Sequence, residues 1–235
     1  MRMLADQAET NVARAVHDAD LPGAVTEYEI EQDATDEEGR WHVFFVPYYS
    51  CGSCSGYTAD EVVGQYKDLI SQLTRRSAFL TIFGLFEHRI AGCLDVMDRI
   101  TGQPEVTKFQ TVEHCHRRLK ERLGDTGIID VEHLAVIRNI MAHGDGVAVN
   151  YHELVKPNVK RTDYEKRLVK GVERAVNYNT GITINARNVL SMDAHFLDYA
   201  VGEFARYVTG VDAAIRRYQK QNSTSSAGTR QRRKA

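Results

Sequence analysis

Phe196, Leu197, Ala200, Val201, Phe204, Val208, Val211, Ile215 and Tyr218 recur at three- and four-residue intervals, drawing one apolar stripe along roughly 25 residues. A helix with such a stripe must bury it against other helices, so this feature alone points to a mainly α fold. The stretch from Thr58 repeats the pattern. Thr58 with Glu61 three residues on makes a capping box. Val62, Tyr66, Leu69, Leu73, Phe79, Phe83, Phe86, Ile90, Leu94 and Met97 then carry a long helix, or a kinked pair, to Thr101-Gly102. Pro104 marks a break, and a short basic helix through HCHRRLKERL runs to Gly124. Asp130 is placed to cap VEHLAVIRNIMAH, apolar nearly all round, which stops at Gly144 in an expected left-handed conformation. TDYEKRLVKGVERA reads as helix and GITIN as part of a short hairpin. The expected architecture is an antiparallel helical bundle with β-hairpin insertions.

Residues 1–58 read as an N-terminal elaboration, 59–221 as the bundle and 222–235 as a disordered basic tail. In the first of these, a helix from Leu4 to His17 stops at Pro22-Gly23. The β-rich runs TEYEIEQ and WHVFFVPYY follow, joined by the polar turn DATDEEGR and leading into CGSCSGY. The formal net charge of −2 conceals a split. Residues 1–60 hold three Lys or Arg against twelve Asp or Glu, a net of −9, which leaves +7 on the rest. Such a split suits either an electrostatic lid or two solvated surfaces of opposite sign. No apolar run reaches the roughly 18 residues of a membrane span, and the opening segment is too acidic for a secretory signal, so a cytoplasmic protein is expected. The four cysteines read as reduced thiols. Cys51 and Cys54 have the spacing of half a zinc site, but no second pair matches them. His114 and His116, which read as exposed helix histidines, and the free Cys115 would join them only by tertiary accident, so no metal is expected.

The chemistry concentrates in one helix. Arg138 lies four residues after Leu134 and three before Met141, on an apolar stripe where a guanidinium needs an anion. That anion is a carboxylate of the chain, a partner's side chain or a substrate phosphate. Glu87 interrupts the stripe of Phe83, Ile90 and Leu94 and is a candidate to pair with Arg138. His143 falls five residues beyond Arg138, about 140° around the axis, so the two do not share a face. Two such helices about a two-fold axis would bring an Arg and a His from each copy around one cleft, which favours a homodimer.

Arg138 and Asn139, three further residues, then His143 and Gly144 resemble the Arg-Asn-x-x-x-His motif of HEPN endoribonucleases. The order of helices over residues 59–221 is similar to a HEPN bundle. The resemblance implies RNA cleavage by the RNA's own 2′-hydroxyl, leaving a cyclic phosphate without metal or cofactor. It implies His143 as general base or acid, imidazole titrating near neutrality, and Arg138 as the group that binds the scissile phosphate. Asn139 would orient the phosphate or the histidine, and Glu87 would be a supporting residue. Lys156, Lys160, Arg161, Lys166 and Arg167, continued by Lys170 and Arg174, with a second cluster of Arg117, Arg118, Lys120 and Arg122, would hold the RNA backbone. Resembling proteins serve as toxins or in stress response and phage defence, which implies RNA as partner and an antitoxin or regulatory protein as a further one. A family variant silenced by nucleotide transfer carries a tyrosine two residues past the histidine. Here Asp145 stands at that position and Tyr151 is the nearest tyrosine downstream, which argues against that control. The alternative within the family is a non-catalytic module that binds nucleotide or protein.

Overall fold

The computed structural model describes residues 1–103 and 111–232, with side chains through residue 222; Pro104 lies outside the described residues. Helix makes up 60% of the chain. In chain order the elements are α1 (Arg2–Asp18), β1 (Thr26–Thr35), β2 (Trp41–Cys51), β3 (Cys54–Gly56), α2 (Ala59–Thr101), α3 (Val112–Glu121), α4 (Glu132–His143), α5 (Tyr151–Leu154), α6 (Asp163–Asn177), β4 (Ile182–Ile184), β5 (Leu190–Met192) and α7 (Phe196–Arg232). Both sheets, β1-β2-β3 and β4-β5, are small and antiparallel. The chain divides into two units, Met1–Ala5 with Ala78–Ala235, and Asp6–Ser77. No helix among the described residues is long and apolar enough to cross a membrane.

In the larger unit the apolar stripes of α2 and α7 meet as an aromatic seam. The rings of Phe86 and Phe204 stack with centroids 4.2 Å apart, while Phe79 meets Phe196 edge-on at 4.9 Å and Phe83 meets Phe204 at 5.6 Å. Tyr207, absent from the stripe read in the sequence, is also fully buried. On α3, Thr111 and His114 form a reciprocal capping box, so His114 is half-buried and engaged rather than exposed. Arg118 of α3 is fully buried and pairs with Asp98 at 2.9 Å; Arg122 reaches the same carboxylate at 3.0 Å. Neither arginine is therefore a surface phosphate holder, because burial next to a carboxylate commits both to structure. α7 carries the backbone on to Arg232, through the polar stretch after Gln221 expected to be disordered. That stretch has no proline to end a helix, and its basic side chains lie outside the described residues.

The smaller unit extends beyond the expected boundary at residue 58, because the first turns of α2 join it. Val62, Val63 and Tyr66 pack with Ala19, Val25, Tyr49 and Cys51 into a core of their own. Arg75 and Glu9 close this unit with an ion pair at 2.8 Å. The β1–β2 hairpin pairs from Thr26↔Ser50 to Thr35↔Trp41. Its turn is organised by Asp36, which accepts from the Arg40 and Glu38 amides at 2.9 and 3.0 Å and contacts the His42 ring at 2.8 Å. Those bonds, led by the one from Arg40, hold the Asp36 carboxyl at about 2. Trp41, Val43 and Phe45 share one face of the hairpin opposite Thr35, Asp33 and Glu31, and all three are exposed. Cys51 and Cys54 face each other across the tight β2–β3 turn as free thiols.

Candidate functional site

α4 carries the motif, and its two sides differ. His133, Leu134, Val136, Ile137, Ile140 and Met141 are buried, whereas Asn139, Ala142 and His143 are exposed and Arg138 is half-buried. The helix is thus amphipathic rather than apolar all round. Alanines at 135 and 142 occupy the solvent-side stripe, and their small apolar side chains disguised it in the sequence.

Packing fixes the helix against α6 at unusually short range. Gly171 faces Val136, and a Cβ at position 171 would sit 2.7 Å from Val136 Cβ. Asp130, just before α4, accepts from the Glu132 amide at 3.0 Å and from Arg174 Nη1 of α6 at 2.6 Å. The expected cap at Asp130 therefore serves the helix start, with Val131 as the N-cap residue itself. Inside, His133 Nε2 meets the Tyr199 hydroxyl of α7 at 2.9 Å. Burial holds this imidazole down at about 4, so it is neutral near pH 7 and takes no part in surface chemistry.

At its C-terminus the helix leaves differently from the expectation. Gly144 keeps φ at −112°, and the reversal falls to Asp145 at +50° and Gly146 at +83°. Glycine is still required at 144, since a Cβ there would approach the Val147 carbonyl oxygen to 2.7 Å. The β4–β5 hairpin then pins the exit: the Leu190 amide donates to Gly146 O and the Ala148 amide to Asn188 O, each at 2.9 Å. His143 consequently sits at a held corner.

Arg138 has found its anion. Its Nη2 lies 3.0 Å from Glu87 Oε2, Nη1 donates to Asn139 Oδ1 at 2.9 Å, and the guanidinium carbon stands 5.5 Å from the Phe83 ring centroid. The side chains of Arg138 and Glu87 retain 31% and 30% exposure, so the fork is aimed without being sealed. A pair this exposed contributes about 0–1 kcal/mol, small enough for an incoming phosphate to compete. His143 makes no hydrogen bond or ion pair among the described residues, and it is not joined to Arg138. Glu87, Arg138 and Asn139 are brought together; His143 is set apart at the end of the same helix.

The expected RNA-contacting cations are spent more heavily than the sequence suggested. Lys156 pairs with Glu153 at 2.6 Å and Lys166 with Asp163 at 2.8 Å, both exposed pairs that water screens. Arg161 donates to the Leu154 and Lys156 carbonyls, bracing the chain before α6. Arg167 bridges Glu113 and Glu132 at 2.8 Å each, which makes it a clamp among α3, α4 and α6. Lys160 is exposed and makes no ion pair among the described residues.

A feature missed in the sequence lies beside that clamp. α3, α4 and α6 enclose a cleft of about 420 Å³ whose lining includes His116, Lys120 and Lys170. The sequence places His116 on an exposed helix face, yet its Nδ1 is buried and has no hydrogen-bond partner. Burial first, and then the nearby Lys120 ammonium, lower the pKa of the ring. The i, i+4 spacing of His116 and Lys120 was the available signal. Among the described residues no group of three or more His, Cys, Asp or Glu side chains is placed to hold a metal.

No family model matches the sequence, and no curated protein or solved structure matches it.

Proposed function

We propose that this protein is a metal-independent endoribonuclease of the HEPN type, acting at a cleft built by two copies of the chain. The observation that carries the reading is the Arg138 fork, oriented by Glu87 and Asn139 yet open to solvent, on the helix that ends at an exposed His143. In this mechanism the 2′-oxygen of the RNA attacks the adjacent phosphorus, and the bond to the 5′-oxygen breaks. One imidazole removes the 2′-proton and the partner copy's imidazole protonates the departing 5′-oxygen. Arg138 binds the phosphate and offsets the charge that grows on its oxygens, while Asn139 and Glu87 keep the fork in position. Because Arg138 and His143 do not meet within one chain, a second copy supplies the missing partner. A role in toxin action, stress response or phage defence fits such a nuclease, with an antitoxin or regulatory protein as its control.

The test is cleavage of a structured RNA in excess chelator by wild type, Arg138→Ala and His143→Ala. Wild type is expected to cut, with both variants slowed by about 100-fold or more. Variants as active as wild type rule the mechanism out. A second reading is favoured by the Arg138–Glu87 pair itself, which satisfies the arginine within one chain at 3.0 Å. It makes the domain a non-catalytic module for nucleotide or protein, and it predicts that Arg138→Ala costs stability without altering any RNA cleavage.

A further inference from the structure

We infer that the cleft among α3, α4 and α6 is a phosphate-binding subsite, receiving a backbone phosphate of the RNA that Arg138 and His143 are proposed to cut. The inference rests on that reading and deepens it.

Two cations in the cleft are uncommitted, and the His116 ring lies in the wall beside them. Lys120 from α3 and Lys170 from α6 are exposed and have no ion pair among the described residues, and His116 Nδ1 is buried without a hydrogen-bond partner. The acids of the cleft are committed already. Glu113 and Glu132 share Arg167, and Asp130 is held by Arg174. Arg117 also lines the cleft, so cations outnumber carboxylates there. Two ammonium groups brought from different helices to one cleft suit a phosphodiester, whose single charge is spread over two non-bridging oxygens that can accept from both. The volume, about 420 Å³, also fits a nucleotide-sized group better than a single ion.

Position links the cleft to the motif. Arg167 lines both this cleft and a smaller hollow of about 110 Å³ whose wall includes Asn139. Along α4 the route passes Glu132, Ala135 and Asn139, the solvent-side stripe that ends at His143. At ~1.5 Å per residue, Ala135 stands about 12 Å along the axis from His143. A few nucleotides of single-stranded RNA cover that distance. Small Ala135 leaves the path open, and the Arg167 clamp holds its walls.

The test uses a fluorescein-labelled oligoribonucleotide with 2′-O-methyl groups throughout, which binds but cannot be cut, and measures anisotropy on the full chain. Lys120→Ala with Lys170→Ala is expected to weaken binding about tenfold and to flatten the salt dependence by the equivalent of about two contacts. The double Lys→Arg variant should retain wild-type affinity, which excludes a folding defect. Inorganic phosphate and a nucleoside 5′-monophosphate form separate arms, each read through the ring protons of His116 by NMR. Oligonucleotide affinity unchanged in the double alanine variant overturns the proposal. Perturbation of His116 by inorganic phosphate or monophosphate but not by the oligonucleotide also overturns it, making the cleft a free-phosphate or nucleotide site instead. Because the probe is uncleavable, a lysine-dependent affinity stands even where Arg138→Ala and His143→Ala leave cleavage unchanged, so the two readings fail separately.

Discussion

His133 makes stability depend on pH in a way that can be computed from its surroundings. The ring is 1% exposed, and burial takes its pKa from 6.5 to about 4. A histidine depressed in the folded state binds its proton more readily when unfolded. Its contribution is therefore fully present above about 6.5, falls as pH drops through the window to about 4, and levels off below. With one extra proton on the unfolded chain, the slope approaches ~1.4 kcal/mol per pH unit, and lowering pH from about 7 to about 5 removes about 2 kcal/mol. Replacing His133 by Gln keeps a hydrogen-bonding group near Tyr199 while deleting the titration. Urea unfolding of both proteins at about pH 7, 6 and 5 isolates the effect, because other groups cancel in the difference. The stability gap between wild type and His133→Gln should narrow by about 2 kcal/mol on acidification. A gap constant across that range would refute the burial argument for this residue.

Other perturbations address the packing. Gly171→Ala places a Cβ against the branched Val136, so overpacking of ~1–3 kcal/mol outweighs the gain of about 1 kcal/mol in helix propensity; chemical denaturation should show net destabilisation near 1 kcal/mol. Adding Val136→Ala relieves the methyl contacts, so the double variant should lose less than the two single losses combined. Arg118→Leu removes one of the two arginines on Asp98 while Arg122 stays at 3.0 Å, so it should cost about 1–3 kcal/mol, seen as a lowered thermal midpoint. Trp41, the chain's one tryptophan, is 75% exposed and should emit at the wavelength of a hydrated indole and quench readily with acrylamide; Trp41→Ala should shift stability by less than about 0.5 kcal/mol.

Period carried most of the fold into the sequence. The three- and four-residue spacing of Phe79, Phe83, Phe86, Phe196 and Phe204 announced α2 and α7 because those rings fill one seam. The Thr58 cap marks a helix start through a bond local to three residues, and Thr111 and Thr162, not singled out in the sequence, do the same for α3 and α6. Three-dimensional partners were harder to read. Arg118 on a basic run looks like a solvated cation until Asp98, distant in sequence, is placed beside it. Alanine is neutral about its surroundings, so Ala135 and Ala142 made α4 look buried on every side. The need of Arg138 for an anion was legible from its neighbours, and Glu87 was a candidate from its own stripe. That the pair stays one-third exposed depends on side-chain placement that spacing does not encode. The cleft at His116 required three helices to converge, and only its i, i+4 lysine hinted at it.

If the RNA's own 2′-oxygen is the nucleophile at a site formed by Arg138 and His143, removing that oxygen from the substrate must stop cleavage. Wild-type protein is given an RNA carrying one 2′-deoxy nucleotide at a mapped cleavage position, with excess chelator, beside the unmodified RNA. The unmodified product should carry a 2′,3′-cyclic phosphate end, and the deoxy position should not be cut. Scission at the deoxy position at an undiminished rate, or products bearing 5′-phosphate, would contradict this mechanism.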